Sequence, residues 1–201
     1  SNHNLKESYT NWILQQPTAK FTGYVFELAK RLRKLGVVGG NCYRNIEIPI
    51  EIKHTIDAQF NQVVETALNG GKIKENVLCC LDTSGSMQQQ VNGLPNVMCC
   101  DIATSLALFF AKINKGAFHN VLMRFDSNSY PVTLESESFC ENLTKLPSCP
   151  CGTTNFQSVI DEIVKIRKEK PEIPLEEYAT VILPVPGMQL DRPYSFRRME
   201  L

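Results

Sequence analysis

The sequence lacks any imbalance of charge: twenty-one basic residues meet twenty-one acidic ones, and the formal net charge is zero. No global field therefore recruits nucleic acid or an anionic lipid surface. It also lacks an apolar run approaching the ~18 residues that a membrane-spanning helix needs, so no membrane partner is expected. The opening residues, Ser1-Asn2-His3-Asn4-Leu5-Lys6, hold no apolar stretch of a secretory signal. A cytoplasmic protein is the resulting expectation. There is no C-x2-C pair, which removes the usual sign of a zinc ribbon. There is no G-x-S-x-G, and the three histidines, His3, His54 and His119, imply no base for a serine nucleophile. Catalysis is not expected. Internal repeats and low-complexity tracts are missing too.

What is present is the composition of a globular chain. Two hundred and one residues, 43% of them hydrophobic, make one domain with an appendage or two small domains. Eight cysteines fall at Cys42, Cys79-Cys80, Cys99-Cys100, Cys140 and Cys149-Pro150-Cys151. Four of them lie in apolar strand or helix patterns, where free Cys behaves as a small hydrophobe. The group of Cys140, Cys149 and Cys151 is readable as a disulfide or a poor metal site.

Residues 5 to 35 read as helical, with a break near Pro17 and a stripe of Phe21, Tyr24, Val25, Leu28, Leu32 and Leu35. Residues 41 to 53 read as irregular or extended, with Pro49 arguing against a central strand. Thr55 reads as the cap of a helix through Ile56, Phe60, Val63, Val64 and Leu68, ended by Gly70-Gly71. The pattern then changes. Val77 to Leu81 is wholly apolar, as in a strand buried on both faces. A helix over 101–114, strands over 119–125 and 130–134, a loop through Pro147 and Pro150, a helix over 155–168 and a strand over 179–183 follow. That order predicts an open, mostly parallel α/β sheet with one hairpin, binding ligands beyond the carboxyl ends of its strands. The domain boundary is placed at the glycine pair, giving an α-helical segment 1–70 and a sheet domain 71–201.

At one such strand end stands Leu81-Asp82-Thr83-Ser84-Gly85-Ser86-Met87. Asp82, Ser84 and Ser86 alternate, and Gly85 lets the chain curl so that they converge. One carboxylate and two hydroxyls are hard oxygen donors suited to Mg²⁺ or Mn²⁺, with a fourth oxygen available from Gly152-Thr153-Thr154-Asn155. The same residue types make ordinary turns and helix caps, so spacing leaves both readings open. Lys20, Lys30, Arg31, Arg33 and Lys34 form the one compact basic group, readable as a solvated helix face or as a weak RNA contact.

Asp82-Thr83-Ser84-Gly85-Ser86-Met87 resembles the first motif of the metal-ion-dependent adhesion site of von Willebrand factor A domains, and Thr154 matches the threonine of its second motif. Further stretches resemble TROVE-type proteins, relatives of the Ro ribonucleoprotein autoantigen. They are Phe21-Thr22-Gly23-Tyr24-Val25-Phe26-Glu27-Leu28, Thr55-Ile56-Asp57-Ala58-Gln59-Phe60-Asn61-Gln62, Asp101-Ile102-Ala103 and Thr154-Asn155-Phe156-Gln157-Ser158. The likeness covers roughly residues 20 to 190. It implies a von Willebrand A-like, Rossmann-type α/β sheet preceded by the last helices of an RNA-binding helical ring. It further implies a Mg²⁺ or Mn²⁺ site at Asp82, Ser84, Ser86 and Thr154 that receives an acidic group from a protein partner. Small structured RNA would bind through the helical module of a longer parent chain.

Two departures qualify the likeness. The aspartate that completes the metal shell in that family aligns with Gly187 or Pro186, Asp191 falls four residues late, and the ion is expected to bind weakly. The tail after residue 190 shows no further periodicity, so the sheet is expected to be incomplete, with an open edge and a tendency to associate. A stand-alone protein-interaction domain without an RNA role is the competing expectation.

Overall fold

The computed structural model describes residues 2–15, 20–36, 38–39, 42–43, 47–71, 73–146, 152–179 and 181–187. Two helices come first, α1 (Asn2–Gln15) and α2 (Phe26–Lys34), then a minimal hairpin of β1 (Val38–Gly39) and β2 (Cys42–Tyr43). The long α3 (Ile50–Gly70) follows. Its N-cap is Pro49, more than a turn before Thr55, and this corrects the expected cap. Proline suits a helix start because its missing N–H has no partner there anyway. Thr55 lies inside the helix, its hydroxyl donating to the Glu51 carbonyl at 2.8 Å. The far end is as expected: Gly71 takes φ +58°, a left-handed turn that closes the helix.

The sheet is formed by β3 (Val77–Asp82), β4 (Val121–Phe125), β5 (Ser129–Thr133) and β6 (Val181–Val185), in the spatial order β5-β4-β3-β6. β3 runs parallel to both its neighbours, and β4 and β5 form the antiparallel hairpin. The expected mixed α/β sheet is present, open, with four strands among the described residues. Helices α4 (Cys99–Ile113), α5 (Phe139–Lys145) and α6 (Gln157–Glu169) complete the fold. α5 falls between the second hairpin strand and the loop through Pro147 and Pro150, where the sequence pattern assigns no element.

All six residues of β3 are buried, which explains its unbroken apolar run. Cys79, Leu81 and Leu122 face one core with α4, α5 and the α2–α3 residues Leu28, Leu32, Ile56 and Phe60. Leu78, Cys80, Met123 and Phe125 face a second core under Val159 of α6. Helices thus cover both faces, and the first core runs without interruption across the glycine pair at 70–71. Asp57 of α3 reinforces that junction. Its carboxylate accepts from the Ser138 hydroxyl at 2.7 Å and from the Cys140 backbone N–H at 3.0 Å, at the start of α5.

β6 is the edge on one side. The Val181 N–H donates to the Asn76 carbonyl, so the ladder's alternation turns 183 and 185 towards β3 and 182 and 184 outward. Val181 and Ile182 stay more than a third exposed. Pro184 has no N–H to offer on the outward side, as an edge permits. No helix of the described residues is long and apolar enough to cross a membrane.

Candidate functional site

Asp82 is the last residue of the central strand and is almost wholly buried, 1% exposed. The chain leaves the sheet after the Thr83 N–H donates to the Phe125 carbonyl at 2.9 Å. It then curls through a 3-10 turn, Gly85–Gln88, pinned by the buried Met87. The Ser84 N–H donates to Asp82 Oδ1 at 2.7 Å, and the Ser84 and Ser86 hydroxyl oxygens lie 3.0 Å apart. The alternate residues Asp82, Ser84 and Ser86 are therefore brought together by the curl.

Burial pushes the Asp82 carboxyl above the ordinary aspartate range. The hydrogen bonds from Ser84 and the Gly187 N–H oppose this, and the nearby Asp126 charge adds to it. No ion pair reaches Asp82 among the described residues. A buried carboxylate held by backbone N–H donors without a cationic neighbour carries uncompensated charge. With two hydroxyls beside it, this donor set fits a hard divalent cation. No group of three His, Cys, Asp or Glu gathers among the described residues. A cation here would rest on one carboxylate and several hydroxyls.

Thr154 arrives from a different element. Residues 152–155 dock on the turn after β4: the Asn155 N–H donates to the Asp126 carbonyl at 2.9 Å, and the Thr153 N–H to Ser127 Oγ at 3.2 Å. Gly152 permits this approach, since a Cβ there would lie 2.7 Å from Ser127 Oγ. Because β4 is parallel to β3, Thr154, itself buried, stands at the same end of the sheet as Asp82.

Beneath this loop lies a network that sequence patterning missed. Arg124 of β4 is 4% exposed. Its Nε donates to Thr83 Oγ1 at 2.9 Å and its Nη2 to Asp126 Oδ2 at 3.1 Å, and its guanidinium sits 5.1 Å from the Tyr130 ring centre. Asp126 also accepts the Asn128 N–H. The ends of β3 and β4 and the Thr154 loop are thus tied through one buried cation. The readable signal was Arg124 and Asp126 at i and i+2, on the same side of a strand.

Gly187, one of the two positions at which the resemblance leads one to expect an aspartate, follows β6 and sends its N–H towards Asp82 Oδ2 at 3.4 Å. A Cβ there would meet Met87 Sδ, Ser86 C and Ser86 O, all at 2.9 Å. The position holds backbone only. Asp191, Cys149 and Cys151 lie outside the described residues.

The basic group on α2 is largely turned to the protein itself. Lys30 Nζ donates to the Pro95 carbonyl at 3.2 Å, and Arg31 donates to Gln59 Oε1 at 2.9 Å with its guanidinium near the Phe21 ring. Arg33 grips Asp101 and the Asn96 carbonyl. Lys20 and Lys34 are exposed. As for a nucleophilic serine, Ser84 lies beyond the carboxyl end of β3. His119 precedes β4, bound to the Asn114 carbonyl at 2.9 Å. The length of a five-residue strand, ~16 Å, separates them.

No family model, curated protein or solved structure matches the chain.

Proposed function

We propose that the chain is a non-enzymatic binding module of the von Willebrand A type, whose Asp82, Ser84, Ser86 and Thr154 hold Mg²⁺ or Mn²⁺ and present it to an acidic group of a protein partner. The observation that carries this reading is the buried Asp82 carboxylate beside the paired Ser84 and Ser86 hydroxyls at the end of the central strand. The residues themselves supply oxygen donors, exclude water from the carboxylate and fix its orientation through the Ser84 N–H. The cation, when bound, supplies the positive charge that recognises the partner. With Gly187 in place of a second carboxylate, fewer protein charges oppose the cation, so binding is weak and the partner's anion matters more.

Calorimetric titration of Mg²⁺ and Mn²⁺ into the purified chain, with Asp82→Ala as control, tests the reading. Submillimolar binding lost in the variant supports it. Absence of heat in both proteins overturns it.

Within a TROVE-type parent, RNA would be held by the helical module to which α1–α3 belong. The contacts of Lys30, Arg31 and Arg33 favour the second reading, an interaction domain that binds no RNA by itself. Three of the five candidate phosphate-binding cations already serve the fold. A gel-shift assay with a structured RNA separates the two: retention at micromolar protein would sink the second reading.

A further inference from the structure

Asn-Gly occurs twice in the chain, at Asn69-Gly70 and Asn92-Gly93, and both asparagines are exposed. Their backbones differ completely. Gly70 is the last residue of α3, so the Asn69-Gly70 peptide keeps helical geometry, with the Gly70 N–H directed along the helix and away from the Asn69 side chain. Asn92 and Gly93 are instead the two central residues of a tight turn. The Leu94 N–H donates to the Val91 carbonyl at 3.1 Å and Gly93 takes φ +78°, the type II arrangement. In that turn the central N–H groups face solvent, and nothing lies within 4 Å of where a Gly93 Cβ would be.

We infer that Asn92 is a site of spontaneous covalent modification, at which the side-chain amide is converted to aspartate and isoaspartate. The Gly93 backbone nitrogen, on losing its proton, attacks Asn92 Cγ. The Cγ–Nδ2 bond breaks and ammonia leaves, closing a five-membered imide. Water then opens either carbonyl of the ring, giving a normal or a side-chain-linked peptide. Glycine at 93 removes the Cβ that would block the attack, and its turn conformation leaves the nitrogen without a protein acceptor among the described residues.

The place gives the conversion a consequence. Residues 89–98 connect the 3-10 turn bearing Ser86 to the start of α4, and Lys30 and Arg33 hold this stretch by the carbonyls of Pro95 and Asn96. Either product adds a negative charge there. Isoaspartate also inserts a backbone methylene into the turn closed by Leu94 and Val91. The inference stands on this turn alone and is independent of cation binding.

The test is to incubate the folded chain at mildly alkaline pH, digest it, and follow the Asn69 and Asn92 peptides by chromatography and mass spectrometry. The Asn92 peptide should yield two products of equal mass at about ten times the rate of Asn69 or more, since Asn69 reacts only after its helical turn opens. In guanidinium the two rates should converge, because the dipeptide is the same. Asn92→Gln should abolish the products at that position. Equal rates in the folded chain, or a rate difference that persists in guanidinium, overturns the inference.

Discussion

Arg33 and Asp101 face each other as fork and carboxylate: Nε lies 2.9 and 3.1 Å from the two oxygens and Nη2 2.9 Å from Oδ2. Asp101 is 2% exposed and also accepts the Met98 N–H at 2.9 Å, so it closes the first turn of α4 while Arg33 binds that turn to α2. Removing the cation strands a buried charge. Arg33→Ala should cost about 3 kcal/mol in chemical denaturation, and adding Asp101→Asn should return much of it. Arg33→Lys should fall between, because a point charge cannot reproduce the fork. A loss below about 0.5 kcal/mol would show the pair to be screened like a surface one.

The Asp82 carboxyl makes a prediction with a definite sign. Its pKa in the folded chain is raised, burial being the main cause, so the folded state takes up the proton more readily than the unfolded one. Ionised Asp82 therefore costs stability at neutral pH, and that cost disappears as pH falls through the raised pKa. Without divalent ions, Asp82→Asn should raise Tm at pH 7, with the gap to the parent shrinking in acid. Added Mg²⁺ should raise the parent's Tm and leave the variant unmoved. A variant that melts below the parent would mean that the carboxylate is structurally required.

Placing an acid at position 187 should not build a better cation site. Gly187→Asp puts a Cβ 2.9 Å from Met87 Sδ and from the Ser86 carbonyl group, so β6 or the 3-10 turn must give way. The expected cost is about 1–3 kcal/mol by denaturant titration, with no gain in Mg²⁺ affinity. Tighter binding at unchanged stability would contradict the crowding described at that position.

Thiol labelling should be strongly graded. Burial pushes Cys80 up to about 12 and raises Cys79, Cys140 and Cys99 as well, but of these only Cys99 is partly exposed. At pH 8, mass-mapped alkylation should reach Cys99 before Cys79, Cys80 and Cys140, which react only after unfolding. Early labelling of the strand cysteines would show that β3 opens locally.

These sites differ in how far the chain announced them. The strand Val77–Asp82 was legible because burial on both faces leaves only apolar residues, and α4 and α6 because their stripes keep the helical period over several turns. α5 was not. It has seven residues, too few for a clear period. Its local signal is one cap, the Ser138 hydroxyl accepting the Glu141 N–H, and the second acceptor of its first turn, Asp57, lies far away in sequence. The start of α3 was misplaced because Pro49 was weighed as a strand breaker, although proline equally marks a helix start. Arg124 escaped notice because a charge in a strand ordinarily reads as an exposed position, and only the fold brings Thr83 beneath it.

β6 accepts but scarcely donates. On its outward side Ile182 offers one N–H, Pro184 offers none, and the next residue, Pro186, has none to offer either. A strand approaching from solvent would find carbonyls to bind and almost nothing to bind its own. Growth of the sheet by copying its edge, the route by which bare strands recruit their own kind into fibres, is starved of donors at β6. Whatever covers the half-open Val181 and Ile182 must do so with side chains, by shape and apolar contact, and a helix or loop meets that demand where another strand does not.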